Sequence, residues 1–229
     1  MSLTLVSGNK NYSSWSLRAW IAMAAAGIAF EEVLIPLGRP DTKERIKEHS
    51  PAGKVPVLID GDAVIFESLA ILEHLAERFP KAGLWPADLA ARAHARSIAS
   101  EMHAGFQPLR GHCPMNLWRP VERLALTAEV EANVARVTEI WRAARERFGN
   151  GGPFLFGSFG AADAMFAPIA TRFHTYDIPC DSVSRAYIQA IHGHPAFKAW
   201  RDAAFKETLV IEQDEVDWPK VKRVPEAAV

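Results

Sequence analysis

Short apolar runs alternate with helical stripes along residues 1–80. Runs typical of strands lie at 3–6, 30–36, 55–59 and 63–66. Apolar residues recur at helical spacing from Leu17 to Ala24 and from Leu69 to Phe79, and the charged segment 41–49 is also expected to be a short helix. These patterns predict the element order β-α-β-α-β-β-α.

The turn signal Asp60-Gly61-Asp62 separates the last two predicted strands. Tight turns of this kind join antiparallel strands, so we expect a mixed four-stranded sheet and not a purely parallel one. After the first strand, Gly8 stands alone and not within a glycine-rich phosphate loop. This argues against a dinucleotide-binding or nucleoside triphosphate-binding domain.

The alternation of strand and helix patterns ends after residue 80, and the segment 81–87 is predicted to be a linker. Only helical stripes follow, and the predicted helices cover 88–110, 130–141, 161–175, 183–192 and 196–206. The expected layout is an α+β domain at 1–80 and an all-helical domain at 88–229. The end of the chain carries Glu212, Asp214, Glu215 and Asp217. These residues resemble a cation site, but a solvated acidic tail is the favoured interpretation.

Composition narrows the function classes that remain. The 229 residues carry 26 Lys and Arg against 27 Asp and Glu, without the basic surplus of a nucleic-acid-binding protein. The longest apolar run, Trp20–Phe30, is too short to span a bilayer, and the N-terminus lacks the pattern of a secretory signal. We therefore expect a cytoplasmic protein that binds neither nucleic acid nor membrane.

The cysteines and histidines do not form a metal-binding or redox pattern. Cys113 and Cys180 are the two cysteines, and neither lies in a C-x-x-C pair. His94, His103 and His112 recur every nine residues, which places successive histidines on opposite sides of a helix. We expect no metal site and no dithiol centre.

Three serines stand at the start of the first predicted helix, in the segment Tyr12-Ser13-Ser14-Trp15-Ser16. One serine suffices to cap a helix, and capping alone is one interpretation. The other is an anion site, because a hydroxyl at a helix N-terminus lies in a positive field and can donate a hydrogen bond.

Two further positions carry candidate binding features. Pro56 lies within a predicted strand, where it marks either an edge strand or a cis Val55–Pro56 bond. Ser68 is expected to cap the helix 69–79, so that its N–H and hydroxyl would bind a carboxylate. Glu67 beside it would pair with an ammonium group, and the two together would recognise an amino acid.

Taken in order, these features resemble one known family. The serine-rich turn, Lys54-Val55-Pro56 before a strand, the Asp60-Gly61 hairpin and Glu67-Ser68 at a helix start are similar to the cytosolic glutathione S-transferases. Gly157–Asp163 before an apolar helix resembles the signature of that family's second domain. The likeness covers nearly the whole chain, and the run Ser13-Ser14-Trp15-Ser16 is most similar to the serine-type zeta and theta classes.

The resemblance implies a thioredoxin-like N-terminal domain on which glutathione lies as co-substrate. Val55 would pair its backbone with the cysteinyl part, and Pro56 would be the cis proline. Glu67 and Ser68 would hold the γ-glutamyl end. Two residues could reach the glycyl carboxylate, namely Lys54 and, as the weaker candidate, His49.

The same resemblance implies catalysis at a serine and a second pocket between the domains. Ser13 matches the serine that contacts the glutathione thiol, and Ser14 is its competitor. The electrophile would bind along the first helix of the second domain, at Phe106, Arg110, Met115 and Asn116, with Trp118 as further apolar surface. An ordinary helix core with a solvated arginine is the alternative interpretation.

The implied function is that of a homodimeric glutathione transferase in detoxification, which adds the glutathione thiolate to an apolar electrophile. The first alternative is a glutathione-dependent cis–trans isomerase of the maleylacetoacetate type, in which the thiolate adds and leaves again. The second alternative is a transferase-like scaffold that binds partners without catalysis.

Overall fold

The computed structural model of the chain describes residues 2–216 and begins with a four-stranded sheet. The strands are β1 (Leu3–Ser7), β2 (Phe30–Leu34), β3 (Val57–Asp60) and β4 (Ala63–Phe66). Their spatial order is β2-β1-β3-β4, with β1 parallel to β2 and antiparallel to β3, and with β3 antiparallel to β4. The predicted mixed sheet is confirmed.

Three helices cover the two faces of this sheet: α1 (Ser14–Ala25), α2 (Thr42–Lys47) and α3 (Ser68–Arg78). Successive side chains of a strand point to opposite faces, which divides the apolar residues of β1 and β3 between two clusters. Leu5 and Leu58 belong to the cluster formed with α1 and α3, whereas Val6 and Val57 pack against Ile46 of α2. The predicted β-α-β-α-β-β-α order is therefore observed.

The remainder of the described chain is helical. Its helices are α4 (Leu89–Ala104), α5 (Gln107–His112), α6 (Ala128–Phe148), α7 (Ala161–Thr175), α8 (Ser182–Gly193) and α9 (Pro195–Ala204). Helix α7 is buried along nearly its whole length and packs against α1, α4 and α8. Because α1 also packs on the sheet, the two halves of the chain share one continuous apolar core.

The single helix predicted at 88–110 is wrong, since the structure divides it into α4 and α5. Gly105 and Phe106 interrupt it, and Phe106 adopts a left-handed backbone conformation with φ of +64°. A β-carbon at Gly105 would lie 2.8 Å from the carbonyl oxygen of Glu101, so this position requires glycine. The break changes the direction of the chain at the edge of the site described below.

Three other predictions need correction or completion. The strand predicted at 55–59 begins at Val57, and the Val55–Pro56 bond before it is cis, as one of the two interpretations required. The cap of α3 is Glu67, and Ser68 is instead the first helical residue. The tail interpretation is wrong for Asp214 and Glu215, which contact the rest of the protein, whereas Glu212 is exposed and Asp217 lies outside the described residues.

Between residues 2 and 216, no helix combines the length and the apolar character needed to cross a membrane.

Candidate active site

A cleft of about 750 Å³ lies where the sheet half and the helical half meet. The N-terminal ends of α1 and α3 both open onto it, which gives the cleft two positively polarised helix termini. Of the residues predicted from sequence, the cleft is lined by Ser13, Ser14, Lys54, Val55, Pro56, Glu67, Ser68, Arg110 and Met115.

Ser13 lies at the N-cap of α1 and is nearly buried, with 6% of its surface exposed. Its Oγ accepts a hydrogen bond from the backbone N–H of Ser16 at 3.3 Å and lies 2.8 Å from the Ser16 Oγ. The Ser16 Oγ in turn accepts from the backbone N–H of Gly8 at 3.0 Å. The third serine of the motif therefore orients the first and ties it to the end of β1.

Ser14 is the first residue of α1 and is half-buried at the same end of the cleft. Both residues line the cleft at the positive terminus of a 12-residue helix, where an anion is stabilised by the helix dipole. Ser13 differs from Ser14 in being fixed by the two contacts to Ser16. The side-chain position of Ser13 is therefore set by Ser16.

A second wall of the cleft is formed by the loop before β3 and the turn before α3. Lys54, Val55 and the cis proline Pro56 line it, whereas His49, the weaker candidate for the glycyl carboxylate, does not. Ser68 also lines the cleft, yet its hydroxyl is buried and contacts the Met165 sulfur at 3.9 Å. The expected outward-facing hydroxyl of Ser68 is therefore not observed.

Glu67 has a backbone conformation that a non-glycine residue rarely adopts, with φ of +69°. Such a conformation costs about 1–3 kcal/mol and persists where the surroundings impose it, often at functional sites. The Glu67 carboxylate lines the cleft and lies 3.4 Å from Nε2 of His103 on α4. Glu67 thus meets the helical half while remaining available to a ligand.

Three residues predicted for the electrophile pocket lie elsewhere. Phe106 is 7% exposed and belongs to the shared apolar core, because the break after α4 turns its side chain inward. The Asn116 amide is buried, accepts from Nδ2 of Asn11 at 3.1 Å and donates to Glu215 at 2.9 Å. Trp118 is also buried away from the cleft and donates its indole N–H to the carbonyl of Ala204.

The sequence reasoning missed a basic residue in the cleft, Arg172 on α7. Its Nε donates to the carbonyl of Cys113 at 2.8 Å and its Nη1 to that of Pro168 at 3.0 Å. Burial, with a further contribution from Arg110, lowers the pKa of Arg172 to about 10. The signal in the sequence is a single arginine in a predominantly apolar helix, since a buried charge there needs partners.

Trp15 also lines the cleft, between two guanidinium groups. Arg18 lies 4.2 Å and Arg110 lies 4.5 Å from the centre of its rings, as in cation–π contacts. Arg18 is fully buried, and within residues 2–216 its Nε and Nη1 have no hydrogen-bond partner. Burial, followed by Arg110 and Arg172, lowers the pKa of Arg18. This side of the cleft carries an excess of positive charge.

No group of three or more His, Cys, Asp or Glu side chains in the described part of the chain is arranged to hold a metal ion. The acidic groups of the cleft are Glu67 and Asp214, which lie on different walls. Burial raises the pKa of Asp214 to about 6, and the nearby Arg172 opposes this rise.

The sheet with its cis proline, the helix termini at the cleft and the all-helical second half together define a glutathione-transferase fold. Residues 12–78 match the glutathione S-transferase N-terminal domain and residues 127–203 match the glutathione S-transferase C-terminal domain. Glutathione S-transferase Z2 of Arabidopsis thaliana is 30% identical over 201 residues, which cover 82% of this chain and 88% of that protein. The chain belongs to the glutathione S-transferase family.

Two other similar proteins extend this comparison. A probable maleylacetoacetate isomerase of Caenorhabditis elegans is 42% identical over 97 residues, which span 42% of this chain and 45% of that protein. A glutathione transferase homologue from Burkholderia, solved with bound glutathione, has the same fold with a TM-score of 0.68. It is 22% identical, and the match covers 89% of this chain and 98% of that one. The family resemblance inferred from sequence is confirmed.

Proposed function

We propose that this protein is a glutathione transferase that binds glutathione in the cleft and adds its thiolate to a small electrophile. The observation that carries the proposal is the fixed hydroxyl of Ser13 at the N-terminus of α1, facing the cleft. A thiolate, and not a thiol, is the nucleophile, so the protein must favour the ionised sulfur near neutral pH.

The available interactions are strong enough to lower the pKa of the glutathione thiol to near neutral pH. A free cysteine thiol has a pKa of about 8.5, and lowering it by about two units requires roughly 2.7 kcal/mol. A hydrogen bond to a charged group contributes about 1.5–3 kcal/mol, and a helix N-terminus adds about 0.3–1 kcal/mol. Serine does not act as a base here; it donates its proton in a hydrogen bond to sulfur.

The remaining contacts to glutathione follow from the walls of the cleft. The backbone of Val55 beside Pro56 pairs with the cysteinyl part, and Lys54 approaches the glycyl carboxylate. The N-terminus of α3 at Ser68 binds the γ-glutamyl carboxylate through backbone N–H groups, because the Ser68 hydroxyl contacts Met165. Glu67 pairs with the γ-glutamyl ammonium group. All four residues line the cleft, which supports these roles.

The basic side of the cleft favours a second candidate function. Arg110 and Arg172 line it, with Arg18 close behind Trp15, and two guanidinium groups suit a dicarboxylate better than a neutral apolar molecule. A cis–trans isomerase of the maleylacetoacetate type would need such groups, and the Caenorhabditis elegans relative carries that name. In this reaction the thiolate adds to a double bond, rotation follows, and the same thiolate leaves.

Turnover and binding measurements test both candidates. Calorimetric titration with glutathione is expected to give binding heat at millimolar ligand. Turnover is then measured separately with a neutral aromatic halide and with maleylacetoacetate. Faster turnover of maleylacetoacetate would favour the isomerase. Glutathione binding without turnover of either compound would favour the non-catalytic scaffold, and no binding heat at all would overturn the proposal.

We further propose that the protein acts in the cytoplasm as a homodimer. Both cysteines are free thiols, which suits a reducing compartment. Val64 and Phe66 of the edge strand β4 are 43% and 44% exposed, and apolar side chains on an edge strand favour burial against another chain. Light scattering after size-exclusion chromatography would measure the mass, and a monomer would overturn the dimer.

A further inference from the structure

The loop that carries Ser13 is held by the helical half of the protein. This Ser13 loop, residues 8–13, connects β1 to α1 and is buried along its length. Glu207, just after α9, accepts the backbone N–H of Lys10 on one carboxylate oxygen at 2.7 Å and that of Asn11 on the other at 3.0 Å. One carboxylate therefore binds two consecutive amides of the loop, although the loop precedes Glu207 by almost two hundred residues in the sequence.

Further contacts from the helical half fix the same loop. The indole N–H of Trp200 donates to the carbonyl of Lys10 at 2.9 Å, and the backbone N–H of Trp118 donates to Oδ1 of Asn11 at 2.9 Å. The hydroxyl of Tyr12 donates to Glu215 at 2.6 Å. The N–H groups of Tyr12 and Ser13 bond the carbonyl of Asn9 within the loop, and the helical half adds the contacts to residues 10 to 12.

We propose that Glu207 is a positioning residue that sets the acidity of bound glutathione by fixing the Ser13 loop. The inference rests on the proposed function, because it concerns the same thiol. Two amide bonds to one carboxylate define both the position and the orientation of residues 10 and 11, and Ser13 N–H bonds back to the carbonyl of Asn9 at 2.8 Å. A displacement of this segment would move the Ser13 hydroxyl away from the sulfur.

The chemistry of Glu207 supports a role that other side chains cannot fill. A buried amide N–H without an acceptor is costly, and only a carboxylate offers two acceptor oxygens in this geometry. Burial raises the pKa of Glu207, and the two amides together with the Lys10 ammonium group oppose this rise. Lys10 is itself buried, bonds Glu32 and lies 4.3 Å from the rings of Trp200, so the loop side of this contact is fixed, while Glu207 is half-buried.

The test is a double-mutant cycle in which the pKa of the bound thiol is measured for each variant from the ultraviolet absorbance of the thiolate. Glu207→Ala is expected to raise that pKa by about one unit, the effect of one charge-assisted hydrogen bond. Glu207→Gln keeps the size of the side chain but has only one acceptor oxygen, so a smaller rise of the thiol pKa is expected. This variant keeps the test usable if Glu207→Ala folds poorly. In the Ser13→Ala background, Glu207→Ala is expected to add nothing, because the hydroxyl it positions is gone.

Glu73→Ala serves as the matched control. It removes another ion pair between the two halves, since Arg96 of α4 binds the Glu73 carboxylate through two N–H groups at 2.9 and 2.8 Å. The pair is exposed and joins α3 to α4 without involving the Ser13 loop, so the thiol pKa should not change. If a general weakening of the contact between the halves were the cause, Glu73→Ala and Glu207→Ala would shift the thiol pKa equally. That result would overturn the positioning role of Glu207.

The outcomes separate the inference from the function on which it rests. A wild-type protein with an unshifted thiol pKa would overturn the proposed function and this inference together. A lowered pKa in the wild type that stays unchanged in both Glu207 variants would overturn the inference alone. Additive effects of Glu207→Ala and Ser13→Ala would also overturn it, since Glu207 would then act independently of Ser13.

Discussion

The side-chain oxygens of Ser13 and Ser16 lie 2.8 Å apart in the first turn of α1. The Ser13 hydroxyl donates to the Ser16 Oγ, which also accepts from the Gly8 N–H. A hydroxyl has one rotatable proton and two acceptor sites, so Ser16 can donate to Ser13 instead when the Ser13 proton is donated to an anion in the cleft. Chains of hydrogen bonds polarise one another, which strengthens the final donor in such a series.

Replacing Ser13 with alanine should raise the pKa of the bound glutathione thiol by about two units, because the charge-assisted hydrogen bond is lost. The glutathione dissociation constant should change little, since the other contacts remain. The thiolate absorbance of the complex measured against pH gives the result. Ser13→Gly separates chemistry from capping, because glycine is a tolerable N-cap without a hydroxyl. If only Ser14→Ala shifts the titration, Ser14 is the catalytic residue.

Replacing Ser16 with alanine should raise the same pKa by a smaller amount, about half a unit to one unit, because Ser13 remains but is no longer oriented. The same absorbance titration measures it. Ser97→Ala is a suitable control, since that hydroxyl bonds only the backbone of α4 at the carbonyl of Ala93. An effect of Ser16→Ala on glutathione affinity without a pKa shift would contradict this role.

Replacing Arg110 with glutamine should raise the KM for a dicarboxylate electrophile at least tenfold, because a partly buried guanidinium–carboxylate pair is lost. Turnover of a neutral aromatic halide should change much less. Steady-state kinetics with both compounds measure the difference. Arg123→Gln, which removes an exposed partner of Asp177, is the control. Equal losses for both electrophiles would show that Arg110 only maintains the shape of the cleft.

Asp163 should make the protein more stable at mildly acidic than at neutral pH. Its carboxylate is buried in α7 and accepts the N–H groups of Leu155 at 3.1 Å and Gly160 at 2.9 Å, and burial raises its pKa to about 6. The folded protein therefore holds this proton more tightly than the unfolded chain. Stability from this group is largest below pH 4 and declines by about 3 kcal/mol as the pH rises past 6.

Urea unfolding of the wild type and of Asp163→Asn at several pH values would measure this contribution. Asparagine does not titrate, so the wild-type advantage over the variant should shrink as the pH rises from 4 to 7. Asp214 has a similarly raised pKa, and it cancels in this comparison because both proteins contain it. A difference that is constant with pH would contradict the raised pKa of Asp163.

The sequence predicted those parts of the site that depend on local chemistry. Pro56 has no N–H for a ladder bond, and the serine run precedes a clear helical stripe, so both features could be placed without knowledge of the fold. Serine is a common cap, which predicts Ser68 as the cap of α3, whereas the left-handed φ of Glu67 carries no signal in the sequence. Local preference therefore located the turn but not its exact residue.

The parts that failed depend on contacts between distant segments. The family resemblance implies that Phe106 and Asn116 line the cleft, whereas the break at Gly105 places Phe106 in the apolar core and the Asn116 amide bonds Asn11 and Glu215. Arg172 reaches the cleft only because α7 packs against α1. Glu207 binds a loop near the other end of the chain. Spacing along the sequence does not encode such pairings.

The interruption between α4 and α5 divides the walls of the cleft into parts that can change separately. Helix α5 is a six-residue unit that carries Arg110 and bonds to α6 through Leu109 N–H and Asn133 at 3.3 Å. The groups proposed to hold the tripeptide lie on β1–α1, the loop before β3 and the start of α3. Substitutions in α5 can therefore change which electrophile the cleft accepts, while the residues proposed to bind glutathione stay the same.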